Sequence, residues 1–312
     1  MAGDVSASET GIGEAATRCG FAAIIGAPNA GKSTLLNQLV GSKLSIVTQK
    51  VQTTRTRLRG IVIEGDAQIV CVDTPGIFTP RRSLDEAMVQ AAWAGAADAD
   101  TVLLIVDARF GLDDQAELVI AGLDKAGVKP VLVLNKIDLI RRDALLEMVK
   151  AFNARRPFAA TFLVSALSGD GVADLKAHVA ANMPPGPWLY PEDQVADVPL
   201  RLLAAEITRE KIFLRLHEEL PYASTVETES WKERKDGSVR VDQVIYVERE
   251  GQRKIVLGKN GHTIKTIGQA ARTEIAELIG QPVHLFLFVK VRSSWASDPE
   301  RLRTMGLELP RR

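Results

Sequence analysis

From Phe21 to about Met183, short apolar runs alternate with longer amphipathic stretches. The runs at 21–25, 61–64, 67–72, 102–106, 131–134 and 161–164 predict strands, and the amphipathic stretches at 31–40, 83–97, 113–126, 142–155 and 171–181 predict helices. This alternation predicts a doubly wound, mostly parallel α/β sheet covered by helices, with its ligand at the carboxyl ends of the strands. The pattern then breaks. Four prolines fall in the eight residues from Pro184 to Pro191, which excludes a helix interior or a central strand, so a linker is placed at 184–199. Beyond it a helix is expected at about 204–218, strands at 223–231 and 239–248, a helix at 262–279 and a strand at 283–292. No βαβ order survives past the linker, and no second copy of the first domain's motifs is found. The expected division is a disordered tail at 1–18, an α/β domain at 19–183, the linker, and a smaller α+β domain at 200–312.

Composition narrows the class. The chain has 312 residues, 46% hydrophobic and 25% charged, enough for two domains that bury their own cores. Two cysteines, Cys19 and Cys71, rule out a disulfide framework or a cysteine-rich zinc site and suit a reducing compartment. The first eighteen residues lack the apolar stretch of a secretory signal, and no run is apolar enough to cross a membrane, so a cytoplasmic site is expected. With 39 basic and 39 acidic residues the chain is neutral overall. Charge is uneven, however: seven Lys or Arg face two acids between Arg253 and Arg292. A concentrated basic patch is compatible with that stretch.

Gly26, Ala27, Pro28, Asn29, Ala30, Gly31, Lys32 and Ser33 fit G-x-x-x-x-G-K-[ST] between a predicted strand and a predicted helix. Glycines let backbone N–H groups turn inward around phosphate, at a helix N-terminus. Lys32 is expected on the β- and γ-phosphates and the Ser33 hydroxyl on Mg²⁺. Asp73, Thr74, Pro75 and Gly76 follow the 67–72 strand. Asp73 can hold Mg²⁺ through its water shell, and the Gly76 N–H can sense the γ-phosphate because no side chain blocks approach. Asn135, Lys136, Ile137 and Asp138 follow the run VLVL. The Asp138 carboxylate can accept from guanine N1–H and the 2-amino group, which adenine lacks. Ser165 and Ala166 are placed to support guanine through a backbone N–H. Between Val47 and Thr56 one threonine should close over Mg²⁺ and the γ-phosphate, Thr54 before Thr53. Together these pieces match P-loop GTPases of the translation-factor class, with Lys32, Thr54 and Gly76 carrying hydrolysis.

Residue 77 is Ile, where Ras-like GTPases carry a water-positioning glutamine, which predicts slow intrinsic hydrolysis accelerated by a partner, an ion or a switch rearrangement. The Asn29 amide oxygen is a candidate K⁺ ligand, as in similar GTPases.

In the last third, Gly258, Lys259, Asn260 and Gly261 form G-x-x-G, with Arg253, Lys254 and Lys265 around it. Apolar positions at Ile264, Ile267, Ala271, Ile275 and Leu278 make the next helix amphipathic, and Val283 to Val291 alternate. The order α-β-β-α-α-β is that of a type II KH domain, whose glycine loop approaches a nucleic-acid backbone.

The series GAPNAGKS, QTTR, DTPG, NKID, SAL, YPEDQ, VLGKNG and VKVRSSWASD resembles the bacterial Era family of GTPases over nearly everything from Phe21 to Leu309. The resemblance implies a GTPase that binds small-subunit ribosomal RNA near its 3′ end through the KH domain and assists assembly of the small ribosomal subunit. It also implies peripheral inner-membrane association; a monomer is the default. Two other readings are weighed. An RNA-modification GTPase of the TrmE kind usually needs a cysteine near the C-terminus, whereas the last one here is Cys71. A signalling GTPase whose C-terminal domain binds protein predicts no RNA affinity.

Overall fold

Strands covered on both faces need no alternation, and the first domain follows that rule. In the computed structural model, which describes residues 17–48, 50, 54, 55, 58–293, 295–305 and 307, six strands form one sheet. They are β1 (Arg18–Gly26), β2 (Leu58–Glu64), β3 (Ala67–Asp73), β4 (Thr101–Asp107), β5 (Val131–Asn135) and β6 (Thr161–Val164), in the order β2-β3-β1-β4-β5-β6. All its pairings are parallel except β2 with β3. Residues 1–16, the 308–312 tail and Thr53 lie outside the described residues, so the expectations placed on them are not addressed.

Alternate residues of each strand feed two cores. Ala22, Ile24, Leu103, Ile105 and Val133 pack under α1 (Lys32–Val40) and α5 (Val172–Ala181). Ala23, Ile25, Leu104, Leu132 and Leu134 pack under α2 (Ser83–Ala97), α3 (Asp114–Ala126) and α4 (Arg142–Arg155). Helix ends obey local chemistry: the Asp113 carboxylate caps α3 by accepting from the Ala116 N–H at 2.8 Å, and Gly127 closes it in the left-handed region. Because β1 lies between β3 and β4, the chain turns to opposite faces on its two sides, opening a crevice at its carboxyl end.

Two strands start earlier than the apolar runs predict. β1 begins at Arg18, in register with Ala67, and β2 begins at Leu58, opposite Asp73. Hydrogen bonding to β3 extends both past their apolar residues, an influence no local pattern carries.

Residues 184–199 run along the sheet. The Cys19 N–H donates to the Pro184 carbonyl and the Ile61 N–H to Val195, both at 3.0 Å, so the segment covers part of the open edge of β2. Fully buried Gln68 accepts from the Leu189 and Tyr190 N–H groups through Oε1 and donates to the Tyr190 carbonyl.

The second unit comprises α6 (Leu200–Arg215), β7 (Ser224–Glu233), β8 (Val239–Val247), α7 (Glu250–Leu257), α8 (His262–Ile279) and β9 (Val283–Val291). Its sheet runs β7-β8-β9, with β7 antiparallel and β9 parallel to β8. The first helix starts four residues before the expected position because Pro199, at φ −58, serves as its N-cap. A 3₁₀ turn at Trp295–Ser297 and α9 (Pro299–Thr304) follow β9, neither signalled by periodicity. Trp295 and Leu302, with Val244 and Tyr246 from the helix-free sheet face, bury against Leu84, Met88 and Ala91 of α2. This cluster joins the two units. Trp295→Ala should lower the unfolding free energy by about 3–5 kcal/mol, the usual cost of deleting a buried large aromatic side chain. Chemical denaturation checks this, and a loss under about 1 kcal/mol would mean the joint carries little stability.

Candidate functional site

The crevice at the end of β1 is built from backbone first. Gly31, at φ 103, precedes α1, and a Cβ there would lie 2.1 Å from Asn135 Nδ2. A Cβ on Gly76 would meet Pro28 at 2.9 Å. The Ile77 N–H donates to the Gly26 carbonyl at 3.0 Å, tying the D-T-P-G segment to the phosphate loop. Ile77 itself is 2% exposed in the core with Ala23 and Ile25, so its side chain has no access to a hydrolytic water.

Three of the predicted metal groups meet. Ser33 Oγ lies 2.8 Å from Asp73 Oδ2 and 2.8 Å from Thr54 Oγ1, and Thr54 Oγ1 donates to Asp73 Oδ2 at 3.3 Å. Ser45, which no motif singled out, also donates to Asp73 Oδ2, at 2.6 Å. Asp73 Oδ1 is fully buried with no hydrogen-bond partner. Burial pushes the Asp73 carboxyl up, against the pull of the Ser45 and Ser33 hydroxyls and the Lys32 ammonium. A buried carboxylate oxygen with no partner, beside two hydroxyls, fits a hard divalent cation such as Mg²⁺, to which Ser33, Thr54 and Asp73 would turn. Lys32 Nζ donates to the carbonyls of Gly26 at 3.1 Å and Ala27 at 2.8 Å, and burial lowers its pKa to about 8, partly offset by Asp73. Thr74 Oγ1 donates to the Ile24 carbonyl, fixing the start of the segment that ends at Gly76.

The base-reading end is stapled to the phosphate loop. Asn135 Nδ2 donates to the Ala30 carbonyl at 2.8 Å, and Asn135 Oδ1 accepts from the Ala166 N–H at 2.9 Å. Lys136 Nζ donates to the Asn29 carbonyl at 2.7 Å and to Asp107 Oδ2 at 2.7 Å. Burial alone would raise the Asp107 carboxyl, but hydrogen bonds from Arg109 and Lys136 outweigh it and hold it below its ordinary range. Asp138 is exposed on a 3₁₀ turn, with no protein partner among the described residues. Its carboxylate is open to a base. The Ser165 N–H donates to the Asp170 carbonyl at 2.9 Å and the Ala166 N–H to Asn135 Oδ1 at 2.9 Å, which ties this turn to the base-reading segment. Both bonds shape the turn, because buried amides must find partners inside the protein. A cavity of about 730 Å³ on the far side of the phosphate loop, between α2 and α3, is lined by Asn29, Arg81, Val106 and Phe110 and omits the base-reading residues.

The segment carrying Thr54 also grips the second unit. Arg55 is 3% exposed; it donates to the carbonyls of Tyr222 and Ser224 at 2.8 Å and lies 5.3 Å from the Trp295 ring centre. Burial, with Arg209 nearby, lowers its pKa to about 9. Lys43 pairs with Glu210 at 2.8 Å and Glu274 at 2.6 Å, and Lys50 donates to the carbonyls of Phe213 and Leu216 near the end of α6. Sequence reasoning missed these contacts because lysines and arginines read as solvated until a partner surface is known.

The second predicted site is a turn between α7 and α8. Gly258 (φ 71) leaves α7, Lys259–Gly261 make one 3₁₀ turn with Asn260 at φ 53, and Gly261 (φ 74) opens α8. The glycines differ in duty: a Cβ on Gly258 would collide with Thr263 Oγ1 at 2.1 Å, whereas Gly261 faces open space. Lys254, Lys259 and Lys265 are exposed and unpaired among the described residues, while Arg253 pairs with Glu250. No group of three or more His, Cys, Asp or Glu side chains clusters around a metal position, and no helix is long and apolar enough to cross a membrane, among the described residues.

Residues 21–136 match the 50S ribosome-binding GTPase family and residues 219–296 match the KH domain family. The GTPase Era of Afipia carboxidovorans is 65% identical, over 95% of this chain and 96% of that protein. The chain belongs to the Era GTPase family. The Era of Brucella suis is 63% identical over 94% of both chains. A crystal structure of a point variant of Aquifex aeolicus Era bound to GDP·AlF4⁻ superposes with a TM-score of 0.88 at 38% identity, covering 93% of this chain and 99% of that one. A crystal structure of Era in complex with MgGDPNP and nucleotides 1506–1542 of 16S ribosomal RNA gives the same score, identity and coverage. This Era family member is therefore a GTPase, a P-loop domain followed by a KH domain, as the patterning predicted.

Two outcomes test the assignments. Asp138→Asn exchanges a pair of acceptors for one donor and one acceptor, which suits xanthine, so GDP affinity should fall by roughly 100-fold or more while XDP affinity rises. Titration with fluorescent GDP and XDP reads both. Because the folded Asp73 carboxyl is raised, the native state holds that proton more tightly than the unfolded chain, and stability falls as pH rises from the ordinary carboxylate range through the folded value. Asp73→Asn removes the charge. Without nucleotide it should melt at or above wild type at neutral pH, yet lose the Mg²⁺ dependence of GDP binding; a lower melting temperature with that dependence intact would contradict the metal assignment.

Proposed function

We propose that this GTPase binds small-subunit ribosomal RNA near its 3′ end through the KH turn and assists assembly of the small ribosomal subunit. The observation that carries the reading is the Gly258–Gly261 turn, open at Gly261 and flanked by the unpaired Lys254, Lys259 and Lys265 at the start of an 18-residue helix. A backbone that close to solvent admits a sugar-phosphate chain, and a helix N-terminus with free lysines favours its charge. The relative solved with 16S ribosomal RNA supports the choice of ligand. The protein acts in the cytoplasm as a monomer, and the peripheral inner-membrane contact rests on the family resemblance alone.

Hydrolysis follows from positioning. The phosphate-loop N–H groups and Lys32 hold the β- and γ-phosphates, Thr54 closes over the γ-phosphate, and the Gly76 N–H reports its presence. Ser33, Thr54 and Asp73 would hold Mg²⁺, which would supply neutralisation of the developing phosphate charge. With Ile77 in the core, no side chain at that position aligns water, so the intrinsic rate is slow. The Asn29 amide oxygen would hold a K⁺ ion that would supply accelerating positive charge, and replacing K⁺ with Na⁺ should lower kcat; equal rates in the two salts would remove the ion from the reading.

The deciding experiment is GTP hydrolysis with and without a short RNA copying the 3′ end of small-subunit ribosomal RNA, for wild type and Gly261→Asp. RNA should stimulate the wild type and leave the variant at its basal rate. If RNA neither binds nor changes the rate, the KH unit binds a protein instead, and the GTPase assignment stands.

A further inference from the structure

The last residue of β4 is a carboxylate that belongs to none of the nucleotide motifs. Asp107, 8% exposed, is gripped from two sides. Arg109 donates through Nε to Oδ1 at 3.0 Å and through its terminal nitrogen to Oδ2 at 2.7 Å, and its backbone N–H also reaches Oδ1 at 3.0 Å. From the other side comes Lys136, whose ammonium is shared between Asp107 Oδ2 and the Asn29 carbonyl, each at 2.7 Å. Asn29 and Lys136 both have left-handed backbones, φ 61 and φ 66, which non-glycine residues keep only where surrounding contacts hold them. The lysine stem passes beside Gly31, where an added Cβ would lie 4.0 Å from Lys136 Cε.

We propose that Asp107 is a positioning residue of the nucleotide site, one that pins Lys136 and thereby fixes the base-reading turn against the phosphate loop. A lysine ammonium on a flexible four-carbon stem does not choose one carbonyl by itself, because water satisfies it equally well. The carboxylate supplies the choice. Arg109 in turn stops the carboxylate from following the lysine outward, since its planar fork binds both oxygens at once. The chain of contacts runs from Phe110 at the surface, 5.1 Å under the Arg109 guanidinium, through Asp107 and Lys136 to Asn29 in the phosphate loop. Asp138, two residues beyond Lys136, inherits its place from that anchor.

This role has a definite sign. A carboxylate that merely sat near phosphates would repel nucleotide, and deleting it would tighten binding. A positioning carboxylate does the reverse. In the full chain, Asp107→Ala should weaken GDP and GTP alike by roughly 10- to 100-fold, the scale of one charge-assisted hydrogen bond, mainly through faster release. Its kcat at saturating GTP should stay within about twofold of wild type, since uniform binding is lost and not transition-state contacts. Asp107→Asn keeps one acceptor and should recover most of the affinity. In a Lys136→Ala background Asp107→Ala should cost nothing further, because it acts only through that lysine. Stopped-flow release of fluorescent GDP measures every arm, with thermal unfolding as the check on folding. If Asp107→Ala does not fold, Arg109→Ala carries the test: it should weaken GDP in the wild-type background and be silent beside Lys136→Ala. Tighter binding, unchanged binding, or losses that add to those of Lys136→Ala would each overturn the proposal.

Discussion

The architecture turns on one buried carboxylate. Asp73 sits at the carboxyl end of β3 with no exposure, and its Oδ2 accepts from Ser33 at the start of α1, from Ser45, and from Thr54. A charge in that position is costly without compensation, so the three hydroxyls and, when bound, a cation are drawn to it. The helix, the loop and the switch threonine are therefore organised by a group whose other oxygen is left without a protein partner.

Thr54 and Arg55 are neighbours that answer to different units. The threonine belongs to the Asp73 cluster; the arginine is buried among carbonyls of the KH unit and faces Trp295. One peptide bond separates the Asp73 cluster from the domain joint. Lys43 and Lys50, earlier in the same segment, reach α6 and α8. The segment between α1 and β2 thus has two demands on it, one from the nucleotide crevice and one from the KH helices. On the other side, α2 gives Leu84, Met88 and Ala91 to the same joint. Both the α1–β2 segment and α2 are consequently part of the surface on which the KH unit rests.

A second set of contacts closes the crevice from the β4–β5 side. Asn135 joins the phosphate loop to the Ala166 turn, and Lys136 joins the same loop to Asp107. Neither side chain needs to touch a ligand to matter, because each fixes the loop beside it. The Asp138 carboxylate is by contrast exposed and unpaired among the described residues, and so open to a ligand.

Much of this was legible in the order of residues alone. Continuous apolar runs such as 102–106 and 131–134 determined which segments are interior strands, and amphipathic spacing placed α2 and α4 at the observed residues. Glycines at 26, 31, 76, 258 and 261 marked turns because few other residues tolerate those backbones or approaches. Local chemistry is written in local sequence. What the tertiary structure alone decided was partnership: that Ser45 joins Asp73, that Asp107 holds Lys136, that Asn135 accepts from the Ala166 amide, and that Arg55 faces the KH unit. Partnership depends on groups brought together across 28 to 169 positions of chain. The energy that selects it is burial of charge and of backbone polar groups, which neither periodicity nor a motif contains.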